Sequence, residues 1–266
     1  MLNYINQHCL QLYKRFSFGF ILIFGLFTIW SYNNNEIKSC SEPVLNPIPY
    51  KIFMTWDYKP LHPKMQEHVD IIQAENPEFE LKVFDNIERR QFITKNFDTN
   101  VLDAYDRLIP GTYRADLWRF CVLYIYGGVY MDMDKKPVNG FRFKSLMDNK
   151  EYFVKDRESH GVKGVFTAFM ITRPGNTILL KAINRIVYNV KNKVYGLNAL
   201  SPTGPLLLRR FFTEDEVENF KYFLIPGYIT SYDNSTAIIK DHGTPGMNLN
   251  LTHYHILYEQ KNIYRD

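Results

Sequence analysis

Two aspartates separated by one residue, Asp132 and Asp134, end the apolar run "LYIYGGVYMDMD". Burying a carboxylate is costly unless a partner compensates its charge, so either this run ends at the surface or a cation binds there. On an extended backbone, residues two apart point to the same side, which predicts that both carboxylates face one way. Two hard oxygen ligands suit Mg²⁺ or Mn²⁺, with water or phosphate oxygens completing the coordination.

A second charged pair lies just upstream, in "YRADLWRF". Asp116 and Arg119 are three residues apart, so they share one face of a predicted helix. Gly127 and Gly128 join this helix directly to the acidic strand, and both charged pairs can therefore line one cleft. The alternatives are a solvated strand end for the aspartates, since Asp-x-Asp also arises by chance, and a surface ion pair for the helix.

The elements that must position these residues follow an α/β order. A short strand is predicted over 50–56, a helix with apolar residues at Met65, Val69 and Ile72 comes next, and a strand follows up to Asp85. Two short helices are predicted in "IERRQFITKNF" and "NVLDAYDRL". This order is typical of a parallel or mixed sheet flanked by helices, which binds ligands at the carboxyl ends of its strands.

Patterning predicts the remaining elements as well. "TYRADLWRFCVLYIYGG" is predicted as a helix with Thr112 as its cap and the glycines as its stop. Strands are predicted in "EYFVKD" and "GVFTAFMITR", and an amphipathic helix in "NTILLKAINRIVYNVK". Thr203 is a candidate cap of a helix that begins near Pro205. Short strands and loops are predicted from "FLIPGYITSYD" to "LTHYHILY".

Composition indicates one catalytic-size α/β domain, predicted over 47–266. The chain has 266 residues, of which 45% are hydrophobic and 16% aromatic, enough for a full core. The net charge of +4 comes from evenly spread residues without dense Lys/Arg runs, which argues against a nucleic-acid partner.

The N-terminus has the pattern of a membrane anchor. The predicted organisation is a cytosolic tail over 1–15, a transmembrane signal anchor over 16–35 and a polar stem over 36–46. Basic residues precede the apolar run and acidic residues follow it, which predicts a single-pass type II protein with its domain in the lumen of the Golgi or ER. A cleaved signal peptide is the alternative, although no small-residue cleavage site follows the run.

Three segments together, "IPYKIFMTW", "YRADLWRFCVLYIYGGVYMDMD" and "SPTGP", resemble the glycosyltransferases of family 32. That family includes initiation-specific mannosyltransferases and inositol-phosphoceramide mannosyltransferases, with related α-1,4-galactosyltransferases and glucosylating toxins. The resemblance covers roughly residues 47–205. It implies a GT-A type fold, a nucleotide-sugar donor, Mn²⁺ or Mg²⁺, and retention at the anomeric carbon.

The resemblance also implies roles for residues around the acids. Asp134 resembles the direct metal ligand, and Asp132 the residue that contacts the donor ribose or a metal-bound water. Asp116 and Arg119 resemble the pair that holds the donor sugar. His255, predicted on a strand, is a further candidate for the metal or diphosphate site, with a solvated histidine as the alternative.

Three more residues match the donor-binding region of the family. Trp56 resembles an aromatic side chain that stacks on the nucleotide base, and Thr203 with Gly204 matches a loop beside the sugar. The alternatives are a core position for Trp56 and a helix cap for Thr203. The expected acceptor is a glycan, glycolipid or glycoprotein, and GDP-mannose and UDP-hexoses all remain open as donors.

The C-terminal segment departs from the family pattern. Lys261 and Asn262 stand where the family often has Ser-Trp. A non-catalytic, membrane-anchored protein that binds nucleotide sugars or glycans is therefore a second hypothesis. A phosphohydrolase of haloacid-dehalogenase type, with the first Asp as nucleophile, is a third, although Lys135 and Lys136 follow the acids where that class usually has a small or hydroxylated residue.

Overall fold

A computed structural model describes residues 47–159, 162–231, 237–243 and 252–266. Within these ranges no helix combines the length and apolar character needed to cross a bilayer. The predicted tail, anchor and stem lie outside the described residues. The described residues form one compact unit.

Helices and strands alternate in the first half of this unit, as the sequence predicts. The elements are β1 (Lys51–Thr55), α1 (Pro63–Glu75), β2 (Glu80–Phe84), α2 (Asn86–Asn96), α3 (Thr99–Arg107), α4 (Gly111–Tyr126), β3 (Gly128–Met131), β4 (Lys135–Pro137), a 3-10 turn (Phe143–Leu146), β5 (Tyr152–Ser159), β6 (Val162–Thr172), α5 (Thr177–Lys191), α6 (Pro205–Arg209), α7 (Glu214–Glu218), β7 (Tyr222–Ile225), β8 (Tyr228–Ser231), β9 (Ala237–Asp241) and α8 (Tyr254–Glu259).

The described strands form one mixed sheet in the order β2-β1-β3-β6-β5-β7-β8-β9-β4. β1 pairs in parallel with both β2 and β3, so the carboxyl ends of these three strands share one edge. β6 runs antiparallel to β3, and β4 pairs antiparallel with β9 at the far end of the sheet. The fold is therefore of the α/β class, with parallel pairing among β2, β1 and β3 and mostly antiparallel pairing in the rest of the sheet.

The sheet order forces it to curl. β3 and β4 are joined by only three residues, Asp132 to Asp134, yet six strand positions separate them in the sheet. Six spacings of about 4.8 Å would amount to roughly 29 Å in a flat sheet, whereas four Cα steps reach about 15 Å at most. The β9-β4 end of the sheet must therefore bend back toward β3, and the two aspartates lie where the two parts meet.

Apolar residues cover both faces of the sheet. One cluster contains the buried side of α4 together with residues of α2, α3 and α5. The other contains Met65, Val69 and Ile72 of α1, with Phe143 of the 3-10 turn. The predicted stripe of α1 is confirmed, and the domain has helices on both faces of a central sheet.

Two glycines make the direct passage from α4 to β3. Gly127 ends the helix with φ of 63° and Gly128 follows with φ of 103°, both in the region that disfavours side chains. A Cβ on Gly128 would approach the Lys51 carbonyl oxygen to 2.7 Å, because β1 packs closely there. The predicted glycine stop is therefore confirmed and has a packing reason.

Three local predictions are wrong. Thr112 does not cap α4, whose N-cap is Pro110 without a side-chain hydrogen bond. Thr203 does not cap α6, which begins after Gly204. The segment around His255 is not a strand but the short helix α8, capped by the side chain of His253.

Candidate functional site

The turn after β3 holds the two aspartates. β3 ends at Met131, so the aspartates lie in a turn rather than on the extended backbone that the sequence predicted. The Asp132 amide donates to the Ala168 carbonyl at 2.9 Å, and the Lys135 amide donates to the Asp132 carbonyl at 3.1 Å. Asp132 and Asp134 nevertheless line the same cavity, as does Met133 between them, so they meet there through the turn and not through the alternation of a strand.

This first cavity, about 220 Å³ in volume, opens at the carboxyl ends of β1 and β3. Trp56 lines it directly after β1, and its indole Nε1 is buried without a hydrogen-bond partner among the described residues. An unpaired buried donor at a cavity wall is available to a ligand. Trp56 also packs against the apolar cluster of α1, so its placement fits both a core role and a stacking role.

Asp57 and Arg89 complete the wall on the β1 side. The buried Arg89 guanidinium donates to the half-buried Asp57 carboxylate. Gly111 faces this pair, and a Cβ there would lie 2.8 Å from Asp57 Oδ2. Sequence reasoning missed both charged residues. Asp57 had a usable signal, because it directly follows Trp56 at the carboxyl end of a predicted strand, where ligands bind in this fold class.

Arg119 links the helix pair to the turn. Its Nη2 lies 3.3 Å from Asp116 Oδ1 and 3.3 Å from Asp132 Oδ1, and its Nη1 donates to the Thr167 carbonyl at 2.8 Å. The guanidinium also stacks over the Tyr130 ring, whose hydroxyl donates to Asp132 Oδ1 at 2.5 Å. The alternative of a surface ion pair is therefore wrong, because both members are buried.

Thr203 belongs to this buried group. Its hydroxyl donates to Asp116 Oδ2 at 2.7 Å, and a Cβ on Gly204 would come within 3.3 Å of the same oxygen. Both oxygens of Asp116 are thus engaged. Burial raises the pKa of Asp116 to about 6, although Arg119 and the Thr203 hydroxyl act in the opposite direction. Burial also works against the charge of Arg119, but the surrounding carboxylates raise the pKa of its guanidinium.

Asp134 has a different environment. Its partner is the buried Lys135 ammonium, 3.0 Å from Asp134 and 2.8 Å from Asp241 at the end of β9. Burial and the neighbouring Asp132 raise the pKa of Asp134, while Lys135 opposes the shift. Sequence reasoning missed Lys135 and Asp241, which meet only because β4 pairs with β9.

Two histidines hold the same turn from the other side. His68 of α1 is hydrogen-bonded through Nε2 to the Lys135 carbonyl at 2.9 Å. Its ring stacks on His242 at 4.8 Å, and the His242 amide donates to the Asp134 carbonyl at 2.6 Å. The turn is therefore fixed by α1 and by the end of β9.

His255 lies apart from this arrangement. Its side chain is 56% exposed on α8, and its Nδ1 is 3.6 Å from Glu259 one turn later. It lines neither the first cavity nor the adjoining second one. The strand on which its metal role was predicted is absent, and the structure does not bring it to the two aspartates.

The residues at the turn fit a divalent cation. In nucleotide-binding enzymes, Mg²⁺ and Mn²⁺ are commonly bound by one or two carboxylates together with phosphate oxygens of the substrate. Asp134 and Asp132 can provide the carboxylates. No group of three or more His, Cys, Asp or Glu side chains with metal-site geometry occurs within the described ranges. Such an ion would therefore depend on oxygens from the bound substrate.

A second, larger cavity of about 500 Å³ adjoins the first. The two share Thr112, Arg119 and Asp132 in their walls. Asp116 and Gly204 line the second cavity only. The structure thus brings together all the predicted site residues except His255, with Trp56 and Asp134 on one side and Asp116 and Gly204 on the other, while Thr203 supports Asp116 from behind.

Comparison with known proteins gives a family match over part of the chain. Residues 58–153 match the family described as "Glycosyltransferase sugar-binding region containing DXD motif". An uncharacterized glycosyltransferase of Acanthamoeba polyphaga mimivirus is 30% identical over 89 residues, which is 33% of this chain and 36% of that protein. Inositol phosphoceramide mannosyltransferase 3 of Schizosaccharomyces pombe is 25% identical over 179 residues, which is 66% of this chain and 47% of that protein. The chain therefore spans between a third and a half of these relatives.

The fold also has a solved counterpart. The structure named "PaToxG Glycosyltransferase" superposes with a TM-score of 0.50 at 17% sequence identity, covering 66% of this chain and 75% of that one. This likeness concerns the fold, and it agrees with the expected GT-A type. The separate family match over residues 58–153 contains Asp116, Arg119 and both aspartates of the turn.

Proposed function

Because this chain contains the DXD-type sugar-binding region of glycosyltransferases, we propose that it transfers a hexose from a nucleotide sugar to an acceptor hydroxyl. The observation that carries the proposal is the pair of joined cavities, which meet at Asp132 and Arg119. A donor has two parts with different chemistry, a nucleotide and a sugar. The first cavity offers an aromatic wall and Asp134, and the second offers Asp116 and Gly204.

In this proposal the nucleotide lies in the first cavity. Trp56 stacks on the base, and its free indole N–H is available to a polar atom of the nucleotide. Aromatic stacking contributes about 1–3 kcal/mol per base in other proteins that bind nucleotides in this way. Asp134 and Asp132 would hold a Mn²⁺ or Mg²⁺ ion, which would supply positive charge to neutralise the diphosphate.

The buried group around Arg119 has a positioning role. Arg119 fixes Asp132 at the junction of the cavities and keeps Asp116 in place, while Thr203 holds the other oxygen of Asp116. The guanidinium is already engaged by two carboxylates and a carbonyl, so its free donor capacity is small. It therefore acts on the donor mainly through the two aspartates.

Transfer breaks the bond between the anomeric carbon and the diphosphate oxygen and forms a bond from that carbon to the acceptor oxygen. The acceptor's proton passes to the departing diphosphate. The anomeric carbon develops positive charge, as in glycoside hydrolysis. Since both oxygens of Asp116 are engaged, this acid is poorly suited as a nucleophile, and we propose retention without a covalent intermediate. Trapping of a glycosyl-enzyme adduct would overturn that part of the proposal.

The membrane anchor and the lumenal placement also remain proposals, resting on the apolar segment 16–35. Extraction of the full-length protein at alkaline pH checks the first, since an anchored protein stays in the membrane fraction. Protection of the domain from added protease in sealed vesicles checks the second. Release at alkaline pH would contradict the anchor, and digestion in intact vesicles would contradict the lumenal orientation.

Nucleotide release from a panel of GDP- and UDP-sugars tests the enzymatic proposal directly. The full-length chain is assayed with and without Mn²⁺, because slow hydrolysis reveals a donor even without the acceptor. We expect one donor to be consumed only with the metal. Asp134→Asn should lower this rate by at least about 100-fold, since it removes charge at the metal and diphosphate.

Asp215→Asn is the matched control for that variant. Asp215 lies on the exposed helix α7 and lines neither cavity. It should leave nucleotide release unchanged. Binding of a nucleotide sugar without any turnover would favour the non-catalytic hypothesis, and absence of binding would contradict both.

A further inference from the structure

We propose that the part of the second cavity beyond the donor sugar is the acceptor site, that it takes a neutral polyhydroxylated molecule such as a sugar, and that Asp156 binds an acceptor hydroxyl. The inference rests on the proposed function and adds the class of acceptor. Asp156 lies on β5, in a segment whose sequence predicts a strand and no site residue. The second cavity has more than twice the volume of the first, so it has room beyond a donor sugar.

Gly204 and Pro205, where α6 begins, lie between Asp116 and the strand that carries Asp156. Gly204 packs against Asp116, with 3.3 Å between a Cβ placed there and Asp116 Oδ2. The next residue, Pro205, packs against Gly164, where an added Cβ would lie 3.1 Å from Pro205 Cβ and 3.2 Å from Asp156 Oδ2. Two consecutive residues, Gly204 and Pro205, therefore pack close to Asp116 and Asp156, and both acids line the second cavity.

Asp156 keeps an oxygen available for a ligand. Its Oδ1 accepts the Arg157 amide at 2.7 Å, and no described residue hydrogen-bonds its Oδ2. This differs from Asp116, whose two oxygens are both engaged. Gly164 on the facing strand leaves the space that the Asp156 carboxylate occupies. A partly buried carboxylate with a free oxygen is a strong acceptor for a substrate hydroxyl.

Charge favours a neutral acceptor. Among the residues that line this cavity, two guanidiniums, those of Arg119 and Arg157, face four carboxylates, those of Asp116, Asp132, Asp156 and Glu158. This excess of negative charge repels a phosphate on the acceptor. A divalent cation held by Asp134 and Asp132 would be offset by the diphosphate of the donor, so it would not remove this excess.

The apolar part of the wall fits the same class of ligand. Tyr113, Phe166 and Tyr254 line the cavity together with Leu200 and Leu224. Aromatic rings provide large contact faces, and a few polar groups then fix the orientation of the ligand. Sugars present both apolar faces and hydroxyl edges, and so match a wall of rings interrupted by carboxylates.

A transfer assay with paired acceptors tests the inference on the full-length chain. The probes are methyl α-mannoside, methyl α-galactoside and methyl α-glucoside, each beside its 6-phosphate, with the donor found from nucleotide release. We expect at least one neutral glycoside to accept sugar, with kcat/KM at least about tenfold above that of its phosphate, because like charges oppose binding. Transfer that is as efficient with the phosphates would overturn the inference.

Two variants examine the residues themselves. Asp156→Asn should lower the ratio of transfer to donor hydrolysis about tenfold or more, chiefly through the acceptor KM, because it weakens a charge-assisted hydrogen bond. Glu158→Lys should narrow the preference for the neutral acceptor over its phosphate. Asp215→Asn on α7 should leave both ratios as they are in the unmodified chain. Thermal unfolding of each variant verifies that it is folded.

The outcomes separate the two proposals. Absence of turnover with every donor would overturn the proposed function, and the acceptor assignment with it. Donor hydrolysis without transfer to any neutral glycoside would overturn only the acceptor assignment. The same holds if Asp156→Asn keeps the unmodified ratio of transfer to hydrolysis.

Discussion

The helix pair and the turn pair of this site differ in how their charges are satisfied. Asp116 and Arg119 are buried and bonded to each other, to Thr203 and to Thr167, whereas the Asp134 side chain is 37% exposed and has the ammonium of its neighbour as partner. The first pair is a completed network that also holds Asp132, whereas Asp134 can exchange its partner for a ligand. Two pairs of charged residues of similar appearance in the sequence can therefore have different roles, one in support and one in binding.

Removal of Arg119 should cause the largest loss of stability among the variants that test this difference. Arg119→Ala leaves Asp116 buried without its cation, and breaking a buried pair typically costs about 3–5 kcal/mol of the free energy of unfolding. Denaturant unfolding of the full-length chain measures the loss. Arg90→Ala is the control, because the Arg90 pair with Asp106 is exposed and should contribute less than about 1 kcal/mol. Equal losses for both variants would contradict the supporting role of Arg119.

Thr203→Val should have the next largest effect. It keeps the shape of the side chain but removes the hydroxyl that donates to Asp116 at 2.7 Å. Hydrogen bonds to charged groups contribute about 1.5–3 kcal/mol, so a loss in that range is expected in denaturant unfolding. Thr213→Val at the exposed start of α7 is a control of the same chemistry and should cost about 0.5–2 kcal/mol as a lost cap. A Thr203 variant as stable as the unmodified protein would show that Asp116 does not need this donor.

Lys135→Met should have the smallest effect, and it should strengthen metal binding where the other variants weaken the fold. It removes the ammonium that competes with a cation for Asp134. We expect Mn²⁺ to bind up to about tenfold more tightly, equivalent to about 1.4 kcal/mol, as measured by the electron paramagnetic resonance signal of the free ion. Lys136→Met makes the same change in net charge on the other face of β4 and should alter the Kd less. Weaker binding in Lys135→Met would mean that Lys135 organises the site instead.

Local patterns predicted much of the framework around these pairs. The periodicity of α1, the glycine stop of α4 and the strand leading to Asp132 depend on neighbouring residues, and the structure confirms them. Their meeting at one edge follows from the parallel strands β2, β1 and β3. The family match then confirms the resemblance stated from the motifs.

The partners of the site residues could not be predicted in the same way. Lys135 meets Asp241 only through the pairing of β4 with β9, and Asp57 meets Arg89 across the gap between β1 and α2. Neither contact has a local signal. The segment around His255 shows another limit, since a short alternating stretch fits a strand and a helix equally well, and here the cap at His253 and the burial of Tyr258 favour the helix.

The three-residue passage from β3 to β4 also limits how the chain can vary. The exposed turn at Gly140, between β4 and the 3-10 turn, has open space around it, and turns of this kind commonly accept added residues. One residue added between Met131 and Lys135 would instead shift β4 against β9 and turn its side chains to the opposite face. Lys135 would then leave Asp134 and Asp241 at once. Substitution can alter this turn residue by residue, but a change in its length would disrupt the candidate metal site and the edge of the sheet together.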